Sequence, residues 1–474
     1  MTQHDSPFGG QGVAKMFLTF ATMAVPVFLP EDFISELGSQ LNHDELNRFL
    51  EALKTNPSLS IRANPFKEIP SEKLQPVPWC STGSYLKERP SFTLDPLFHA
   101  GGYYVQEASS MFLEQAVKHS VDINRPLKVL DLCAAPGGKS THLLSLINQQ
   151  SLLVSNEVIR SRANILCENL QKWSCPNVVV TQNDPSHFSA LGGFFDLIVV
   201  DAPCSGEGLF RKEPESISQW SASNVDHCSQ RQRRILADVF PSLKQNGILI
   251  YCTCTYNRKE NEENLVWLAA QRDVEFITIP LQPDWGIREV TENGIRGYRF
   301  FQHLVQGEGF FISAIRKKGR EPDARIKHKD PSKTDTKTVA KIKPWILNAD
   351  EYAYLTNKEE ITLQPNHHVQ EIEWLTYHLN AVQVGTTVAS VKHEKVIPAH
   401  SLALSCVLNK ENITTINLTK GEALQFLRKE TLTLRDLKTG YALVTYSGLG
   451  LGWVNGLGNR VNNLYPTHWR IRMK

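Results

Sequence analysis

Hydrophobic and polar positions alternate in blocks along the middle of the chain. Five short apolar runs predict β-strands, and a stretch that is typical of a helix separates each run from the next. The predicted strands lie at 127–132, 152–156, 178–182, 196–201 and 248–253. A regular alternation of strands and helices is typical of a parallel sheet with helices on both faces. We therefore predict an α/β core with a mostly parallel, doubly wound sheet.

The segments before this core have a different pattern. A helix is predicted to start near Glu31 and another over 45–53, and residues 60–65 are predicted to be extended because Asn64 precedes Pro65 and the residue before a proline avoids the α region. The stretch 104–117 has helical periodicity and leads into the first core strand. These features predict a small N-terminal α+β module, whereas residues 1–26 carry no fold signal.

The segments after the fifth strand are predicted to be mostly β. Short apolar runs predict strands at 275–278, 309–314, 361–363, 386–389, 402–404, 414–418 and 442–444. Glycines from 448 to 458 mark tight turns near the end of the chain.

Composition indicates a soluble globular protein, and the charge is concentrated in one stretch of the chain. The 474 residues are 41% hydrophobic and 21% charged, which is ordinary for soluble globular domains. The net charge of +2 is unevenly distributed, because residues 316–343 contain eleven Lys and Arg against four Asp and Glu. This polar stretch predicts a basic linker or mobile loop.

The nine cysteines are scattered, without the paired spacing that zinc sites require, so we expect no metal and free thiols in a reducing cytoplasm. The apolar run at 16–29 contains a proline and is too short to span a bilayer. We therefore expect a cytoplasmic protein without a membrane partner.

A glycine-containing loop follows the first core strand. The pattern predicts a strand, a sharp turn and the start of a helix, with Ser140 or Thr141 able to cap that helix. Paired glycines let a ligand approach the backbone closely, and amides at a helix N-terminus attract negative charge. The candidate cofactor-binding residues of this loop are Cys133, Ala134, Ala135, Pro136, Gly137, Gly138 and Lys139.

The sequence of this loop matches neither of two common nucleotide-binding motifs. A P-loop requires glycine where Cys133 stands, and a dinucleotide fingerprint requires more than the pair Gly137–Gly138. Glu157 lies 20 residues beyond Gly137, at the end of the second strand, where a carboxylate commonly binds ribose hydroxyls. An adenosine cofactor without a long phosphate tail, such as S-adenosylmethionine, fits this pattern.

Four carboxylates occupy equivalent positions in the predicted sheet. Asp131, Glu157, Asp184 and Asp201 each stand at or just beyond the end of a predicted strand. Any one of them could be a turn or cap residue. Ligands of parallel sheets bind at the carboxyl ends of the strands, so the four together predict a pocket.

Two cysteines stand apart from the others. Cys204 follows the fourth core strand and Cys254 ends the fifth, so both thiols lie at one pocket if these strands are neighbours. A thiolate that attacks C6 of a pyrimidine makes C5 nucleophilic enough to accept a methyl group. A free thiol is mostly protonated at neutral pH, and Lys139 and Arg258 are candidates for lowering its pKa. The alternative is that both cysteines are small buried residues.

Several motifs resemble those of the Sun-type RNA cytosine-C5 methyltransferases. The resemblance rests on D-L-C-A-A-P-G-G-K-S at 131–140, D-A-P-C-S-G at 201–206, and T-C-T at 253–255 with E-N-E at 260–262. Further matches are Q-E-A-S-S-M at 106–111, R-K at 211–212 with Trp220, and E-G-F-F at 308–311. Together they extend over about residues 60 to 315.

This resemblance implies roles for the residues in the predicted pocket. Cys254 would be the nucleophile and Cys204 the thiol that assists release. The loop 133–139, Glu157, Asp184 and Asp201 would bind S-adenosylmethionine, with Asp201 also near the cytosine. DNA cytosine methyltransferases use a Pro-Cys loop for the nucleophile, which would favour Cys204, but the presence of both cysteines favours the RNA class.

The C-terminal residues are similar to the end of RsmF-like 16S ribosomal RNA methyltransferases, which carry a PUA-like RNA-binding domain. The similarity lies at 448–466. With it, the predicted organisation is a disordered extension at 1–26, an N-terminal RNA-binding module at 27–98, the methyltransferase domain at 99–316, a basic linker at 317–344 and the PUA-like region at 345–474.

The function expected from these features is 5-methylcytosine formation in RNA, with 16S rRNA of the small ribosomal subunit as partner and a monomeric enzyme. Arg211, Lys212 and the linker lysines are candidate phosphate contacts. The target base must leave any stack to reach a thiol. Two alternatives stay open, namely a tRNA substrate and a non-catalytic rRNA-binding assembly factor.

Overall fold

The computed structural model describes residues 29–70, 73–320, 334–434, 437, 439–458 and 460–473. The predicted extension at 1–26 and residues 321–333 of the predicted linker lie outside this set. In the described ranges, no helix combines the length and apolar character needed to cross a membrane.

The N-terminal module contains short helices and a four-stranded antiparallel sheet. Its elements are α1 (Glu31–Gly38), α2 (His43–Leu53), β1 (Leu59–Ala63), β2 (Gln75–Pro76), β3 (Gly83–Leu86), α3 (Pro96–His99) and β4 (Tyr103–Val105). The strand order is β2-β3-β1-β4. Helix α2 begins where the Asn42 side chain accepts a hydrogen bond from the Glu45 amide at 2.9 Å.

The central part of the chain alternates between strands and helices. Its elements are α4 (Leu113–Ser120), β5 (Lys128–Asp131), α5 (Gly138–Leu146), β6 (Leu152–Asn156), α6 (Arg160–Trp173), β7 (Val178–Thr181), β8 (Phe195–Asp201), α7 (Ala222–Val239), β9 (Leu243–Thr253), α8 (Glu262–Gln271), β10 (Val274–Phe276), β11 (Arg288–Glu292), β12 (Ile295–Phe300) and β13 (Phe310–Lys317). All five predicted core strands are present.

The C-terminal part is rich in strands. Its elements are α9 (Thr336–Ile342), β14 (Tyr352–Asn357), β15 (Glu360–Pro365), α10 (Val369–His378), β16 (Ala381–Val384), β17 (Thr386–Lys392), β18 (Lys395–Pro398), α11 (His400–Leu404), β19 (Thr415–Asn417), α12 (Lys420–Leu427), β20 (Gly440–Tyr446), β21 (Leu449–Gly456) and β22 (Val461–Asn463). Two four-stranded sheets form here, in the orders β14-β15-β17-β18 and β19-β20-β21-β22.

The central sheet has the order β11-β12-β13-β9-β8-β5-β6-β7-β16, with β10 paired to β13. Strands β9, β8, β5, β6 and β7 are parallel, whereas the strands at both ends are antiparallel. The chain runs from β5 to β6 on one side and returns to β8 on the other. This reversal of strand order beside β5 is the position where doubly wound sheets bind ligands.

Alternate residues of the parallel strands enter two separate hydrophobic clusters. Val129 and Leu153 pack on one face, while Leu130 and Val154 pack on the other. Strands covered by helices on both faces are expected to be apolar throughout, as these are. The predicted fold class is confirmed: a mostly parallel α/β core lies between an N-terminal α+β module and a β-rich C-terminal part.

Two predicted elements are wrong in type. The stretch 104–117 begins as strand β4, whose Val105 pairs with Ile61 of β1, and the helix α4 starts only at Leu113. Aromatic and β-branched residues at its start favour the strand. The predicted strand at 402–404 is part of helix α11, because a short, fully buried apolar run has no period that distinguishes the two.

The C-terminal part also contributes to the central sheet. Strand β16 pairs with β7, and Gln182 donates its backbone amide to the carbonyl of Asn380 at 2.9 Å. The alternation pattern did not predict this strand. Within the predicted linker, Lys317 ends β13 and residues 336–342 form α9.

A buried arginine ties the N-terminal module to the core. Arg62 of β1 donates hydrogen bonds to the Gln106 side chain at 2.8 Å and to Thr141 Oγ1 at 2.6 Å, and its guanidinium lies 4.5 Å from the Trp173 ring centroid. Burial lowers the pKa of Arg62 to about 10. Because Thr141 belongs to α5, this contact fixes the helix that follows the glycine-containing loop.

Candidate active site

The glycine-containing loop connects β5 to α5 as predicted. Gly137 is the N-cap of α5 and has a φ of +115°, a conformation that glycine adopts without strain. Ser140 and Thr141 do not cap the helix, since both lie inside it. Instead the Ser140 hydroxyl donates to Asp131 Oδ2 at 2.6 Å, which joins the helix to the end of β5.

Asp131 is a fully buried carboxyl group at the end of β5. Its Oδ1 atom has no hydrogen-bond partner among the described residues. Burial, together with the nearby carboxylates of Asp201 and Glu157, raises the pKa of Asp131 to about 7. Burial and the same group of carboxylates also raise the pKa of the Cys133 thiol.

The carboxylates predicted at the other strand ends are also in place. Glu157 follows β6 and is 3% exposed, and it accepts a hydrogen bond from the Ile159 amide at 3.0 Å. Asp184 follows β7, where it accepts from the amide and the hydroxyl of Ser186. Partial burial opposes the charge of Asp184, but the Ser186 hydrogen bonds and the charge of Arg234 lower its pKa.

Lys139 and Asp201 form an ion pair between the loop and the end of β8. Lys139 Nζ lies 2.7 Å from Asp201 Oδ2. Burial opposes the charge of Lys139, but the Asp201 carboxylate outweighs it and raises the pKa of Lys139. Arg258 pairs with Glu292. The two cations proposed to lower a thiol pKa are therefore both engaged with carboxylates.

The thiols of Cys204 and Cys254 lie side by side. Strands β8 and β9 are parallel neighbours with Asp201 opposite Cys252, so the residues that follow them meet at one edge of the sheet. The Sγ atoms of Cys204 and Cys254 are 3.1 Å apart, and the Cys254 amide lies 3.4 Å from Cys204 Sγ. The conditional prediction that both thiols meet at one rim is therefore confirmed.

The environment of Cys204 favours its protonated form. The hydrogen bond with Cys254, burial and the charge of Glu260 raise the pKa of the Cys204 thiol well above its usual value. All nine cysteines are free thiols.

Two glycines allow the backbone next to Cys254 to pack closely. Gly208 donates its amide to the Cys254 carbonyl at 2.8 Å, and Gly309 donates to the Gly208 carbonyl at 3.1 Å. A Cβ on Gly208 would lie 2.4 Å from the Gly309 oxygen and 2.8 Å from the Cys254 oxygen. Sequence reasoning missed this contact, because nothing in the pattern around Gly208 indicates which backbone it approaches.

Buried acidic side chains support the same region and were also missed. Glu207 accepts hydrogen bonds from Trp220 Nε1 at 3.0 Å and from the Tyr256 amide at 3.1 Å. Burial raises the pKa of Glu207 to about 7. Glu260 was noted only as part of the E-N-E motif, yet it hydrogen-bonds directly to Ser205.

The two candidate phosphate contacts, Arg211 and Lys212, differ in exposure. Lys212 is exposed. Arg211 donates to Glu308 and to the Gly307 carbonyl, both at 2.7 Å, and its side chain is 5% exposed. Its guanidinium is therefore held in an internal ion pair, which leaves Lys212 as the candidate of the two for phosphate contact.

Three family models match successive parts of the chain. The model for 16S rRNA methyltransferase RsmB/F matches residues 121–316, which contain both thiols and the loop. The N-terminal domain of 16S rRNA methyltransferase RsmF matches 29–108, and the methyltransferase RsmF PUA domain matches 413–471.

Full-length relatives agree with these models. A ribosomal RNA small subunit methyltransferase F from Enterobacter sp. (strain 638) is 31% identical, over 93% of this chain and 95% of the relative. The chain belongs to this methyltransferase F (RsmF) family. A second member, from Aliivibrio fischeri (strain MJ11), is 30% identical over 93% of this chain and 97% of the relative.

The fold comparison agrees with membership in the RsmF family. A methyltransferase homologue from Pyrococcus horikoshii is 28% identical with a TM-score of 0.51, over 61% of this chain and all of that chain. The protein is an RNA methyltransferase with an S-adenosylmethionine-dependent fold and a PUA domain, as the resemblance implied.

A Gly208→Ala variant tests the close backbone contact. The added methyl group overlaps two backbone oxygens, so Cys254 must move, and a displacement of about 1 Å at a reacting group lowers activity by about 100-fold. Methyl transfer to 16S rRNA measures the effect. Gly421→Ala is the matched control, because its Cβ meets nothing within 4 Å. Near-normal activity of Gly208→Ala would contradict the contact.

The pH dependence of stability tests the buried state of Asp131. Its pKa of about 7 exceeds the value of about 3.9 in an unfolded chain, so the folded protein binds a proton there that the unfolded chain has released. The contribution of Asp131 to stability therefore falls as the pH rises from about 4 to about 7. The melting temperature of the wild type minus that of Asp131→Asn should decrease from about pH 5 to about pH 8. A constant difference would contradict the raised pKa.

Proposed function

We propose that this enzyme methylates C5 of a cytosine in 16S rRNA through a covalent bond between Cys254 and C6 of the base. The observation that supports it most is the pair of thiols 3.1 Å apart beyond the ends of β8 and β9, where Asp201 of β8 also pairs with Lys139 of the glycine-containing loop. Membership in the RsmF family supports the ribosomal substrate.

S-adenosylmethionine is the proposed methyl donor, and the residues present fit it. Gly137 has a φ of +115° where the loop enters α5, which glycine adopts without strain, and the buried Glu157 carboxylate has acceptor capacity left for ribose hydroxyls. Residues 133–139, Glu157, Asp184 and Asp201 would hold the cofactor. When bound, it supplies a methyl group on a positively charged sulfur.

The chemistry assigned to the protein begins with the thiolate of Cys254. It attacks C6, which breaks the aromaticity of the ring and turns C5 into an enamine-like nucleophile that accepts the methyl group. The C5 proton must then be removed, and the bond between C6 and the Cys254 sulfur must break to return the thiolate.

Cys204 is the proposed partner in the release step. Once its own proton has passed to solvent, the Cys204 thiolate accepts the C5 proton and returns to the thiol, the form that its raised pKa favours. At 3.1 Å from Cys254 Sγ, it is close enough to act on a base bonded to that sulfur.

Asp201 is the proposed contact for the target base. A carboxylate accepts a hydrogen bond from the exocyclic amino group of cytosine, a donor that uracil lacks. The ion pair with Lys139 holds this carboxylate in a fixed position at the end of β8. This arrangement would select cytosine over uracil.

The remaining parts are assigned to RNA binding. The N-terminal module at 27–98 and the PUA-like region within 345–474 would bind the rRNA, while exposed Lys212 and the linker lysines other than the buried Lys317 would contact phosphates. The target cytidine must be flipped out to reach Cys254. We propose that the enzyme acts as a monomer in the cytoplasm on the small ribosomal subunit.

A trapping assay tests the assignment of the two cysteines. Cys204→Ala is incubated with S-adenosylmethionine and small-subunit rRNA, denatured, and examined by gel mobility and mass. We expect a stable protein–RNA adduct, because attack by Cys254 proceeds while release is slow. Cys254→Ala should form no adduct and transfer no methyl group.

Cys167→Ala is the matched control in this assay, because it removes another partly exposed thiol, on α6 and outside the loops that carry Cys204 and Cys254, and should turn over like the wild type. An adduct with Cys254→Ala but not with Cys204→Ala would reverse the two roles. Wild-type protein without adduct or transfer on small-subunit rRNA, but active on tRNA, would overturn the proposed substrate.

A further inference from the structure

Glu260 is a buried carboxylate beside the loop that carries Cys204. It has no exposed surface. Its Oε1 atom accepts the Ser205 backbone amide at 2.9 Å, and its Oε2 atom accepts the Ser205 hydroxyl at 2.5 Å. Both oxygens therefore hold one residue, the residue that directly follows Cys204.

The same carboxylate is connected to the residue after Cys254. The hydroxyl groups of Ser205 and Thr255 lie 2.9 Å apart, and because the Ser205 hydroxyl donates to Glu260, the Thr255 hydroxyl donates to Ser205. Ser205 and Thr255 occupy equivalent places, each one position after a reactive cysteine. One carboxylate thus joins the two loops immediately beside the two thiols.

The orientation of Glu260 is itself fixed from α7. Gln232 Nε2 donates to Glu260 Oε1 at 2.9 Å and to the Pro203 carbonyl at 3.0 Å. The Gln232 oxygen in turn accepts from Asn264 Nδ2 at 2.8 Å. Because Gln232 can move little, the carboxylate can hold the Cys204 loop in a defined position.

Every partner that the described residues give to this carboxylate is a neutral donor. A buried carboxylate is unfavourable unless its oxygens are hydrogen-bonded, so the three donors, the Ser205 amide, the Ser205 hydroxyl and the Gln232 amide, are needed for Glu260 to be tolerated. An apolar residue would fill the space without this requirement but would leave the Ser205 amide and hydroxyl unbound.

We propose that Glu260 is a positioning residue that fixes the distance between the thiols of Cys204 and Cys254, and thereby sets the rate at which methylated RNA is released. This inference rests on the proposed covalent mechanism only for its kinetic consequence. Its geometric part, the spacing of the two thiols, is independent of that mechanism.

Two substitutions of Glu260 distinguish the effect of its hydrogen bonds on the position of the Cys204 loop from the effect of its charge. Glu260→Gln keeps the shape and can retain the contacts, since the amide oxygen accepts from Ser205 N and Gln232 while the Ser205 hydroxyl rotates to accept from the new NH₂ group. Glu260→Ala removes all of these contacts. Burial raises the pKa of Glu260, and its charge raises the pKa of Cys204, so an effect of charge alone would appear in both variants.

The kinetic experiment measures adduct formation and adduct release separately in single turnovers with small-subunit rRNA. Glu260→Ala should slow release by about 10-fold or more and accumulate adduct, because displacement of a reacting group by a fraction of an ångström has effects of this size. Adduct formation by Cys254 should change less, and Glu260→Gln should restore most of the release rate. Equal slowing in both variants, or slowing of formation alone, would overturn the proposal.

A double variant tests whether Glu260 acts through Cys204. If it does, Cys204→Ala with Glu260→Ala should release adduct at the same rate as Cys204→Ala alone, because the two substitutions disable the same step. Additive slowing in the double variant would overturn the proposal.

Thiol oxidation gives a readout that needs neither RNA nor methyl transfer. Diamide takes two electrons and two protons from a pair of neighbouring thiols to form a disulfide, and the linked peptides of Cys204 and Cys254 can be quantified by mass spectrometry. We expect rapid linkage in the wild type and in Glu260→Gln, and about 10-fold slower linkage in Glu260→Ala.

Asp196→Asn is the matched control for loss of stability. Asp196 lies at the opposite end of β8, where it accepts the Lys128 amide and pairs with Lys244, each at 2.8 Å. This variant should destabilise the same strand without slowing the linkage. If Glu260→Ala links the two cysteines at the wild-type rate, the proposed spacing role is overturned. If no variant forms an RNA adduct but the rates of thiol linkage are as expected, the proposed covalent mechanism is wrong and the proposed spacing role of Glu260 is retained.

Discussion

The parallel pairing of β8 with β9 is the constraint on which the proposed site depends. Each strand ends just before a loop that carries one thiol, and the register places Asp201 opposite Cys252. Because side chains alternate between the two faces of a sheet, a shift of one residue would turn the loop residues to opposite sides. The 3.1 Å separation of the Cys204 and Cys254 sulfurs is therefore a result of strand register first and of loop contacts second.

Hydrogen bonds and ion pairs of buried polar groups then hold the loops after β8 and β9 in position. Glu260 joins the two cysteine loops, and Arg299 binds Glu262 while donating to the Tyr256 carbonyl at 2.7 Å, which holds the turn after Cys254. Buried charges are unfavourable unless fully paired. Arg299 and Glu262 form an ion pair and Glu260 is hydrogen-bonded by neutral donors, which is consistent with a site whose geometry matters more than its stability.

The strands of the central sheet could be predicted from the sequence because the residues that mark each strand lie within it or directly after it. Fully buried parallel strands are continuous apolar runs, and strand ends are marked by carboxylates and glycines, so Asp131, Glu157 and Cys254 were placed correctly. Tertiary contacts have no such local signal. The pairing of β16 with β7 and the capture of Arg211 by Glu308 each depend on residues distant in the chain. The role of Glu260 was hidden for the same reason, since Ser205 lies 55 positions earlier.

The most direct test of the proposed function identifies the methylated nucleoside. Small-subunit rRNA is incubated with the enzyme and S-adenosylmethionine carrying a labelled methyl group, digested to nucleosides and analysed by mass spectrometry. We expect the label to be recovered in 5-methylcytidine. Label recovered in any other nucleoside, such as a uridine or a cytidine methylated on the ribose or on nitrogen, would contradict it.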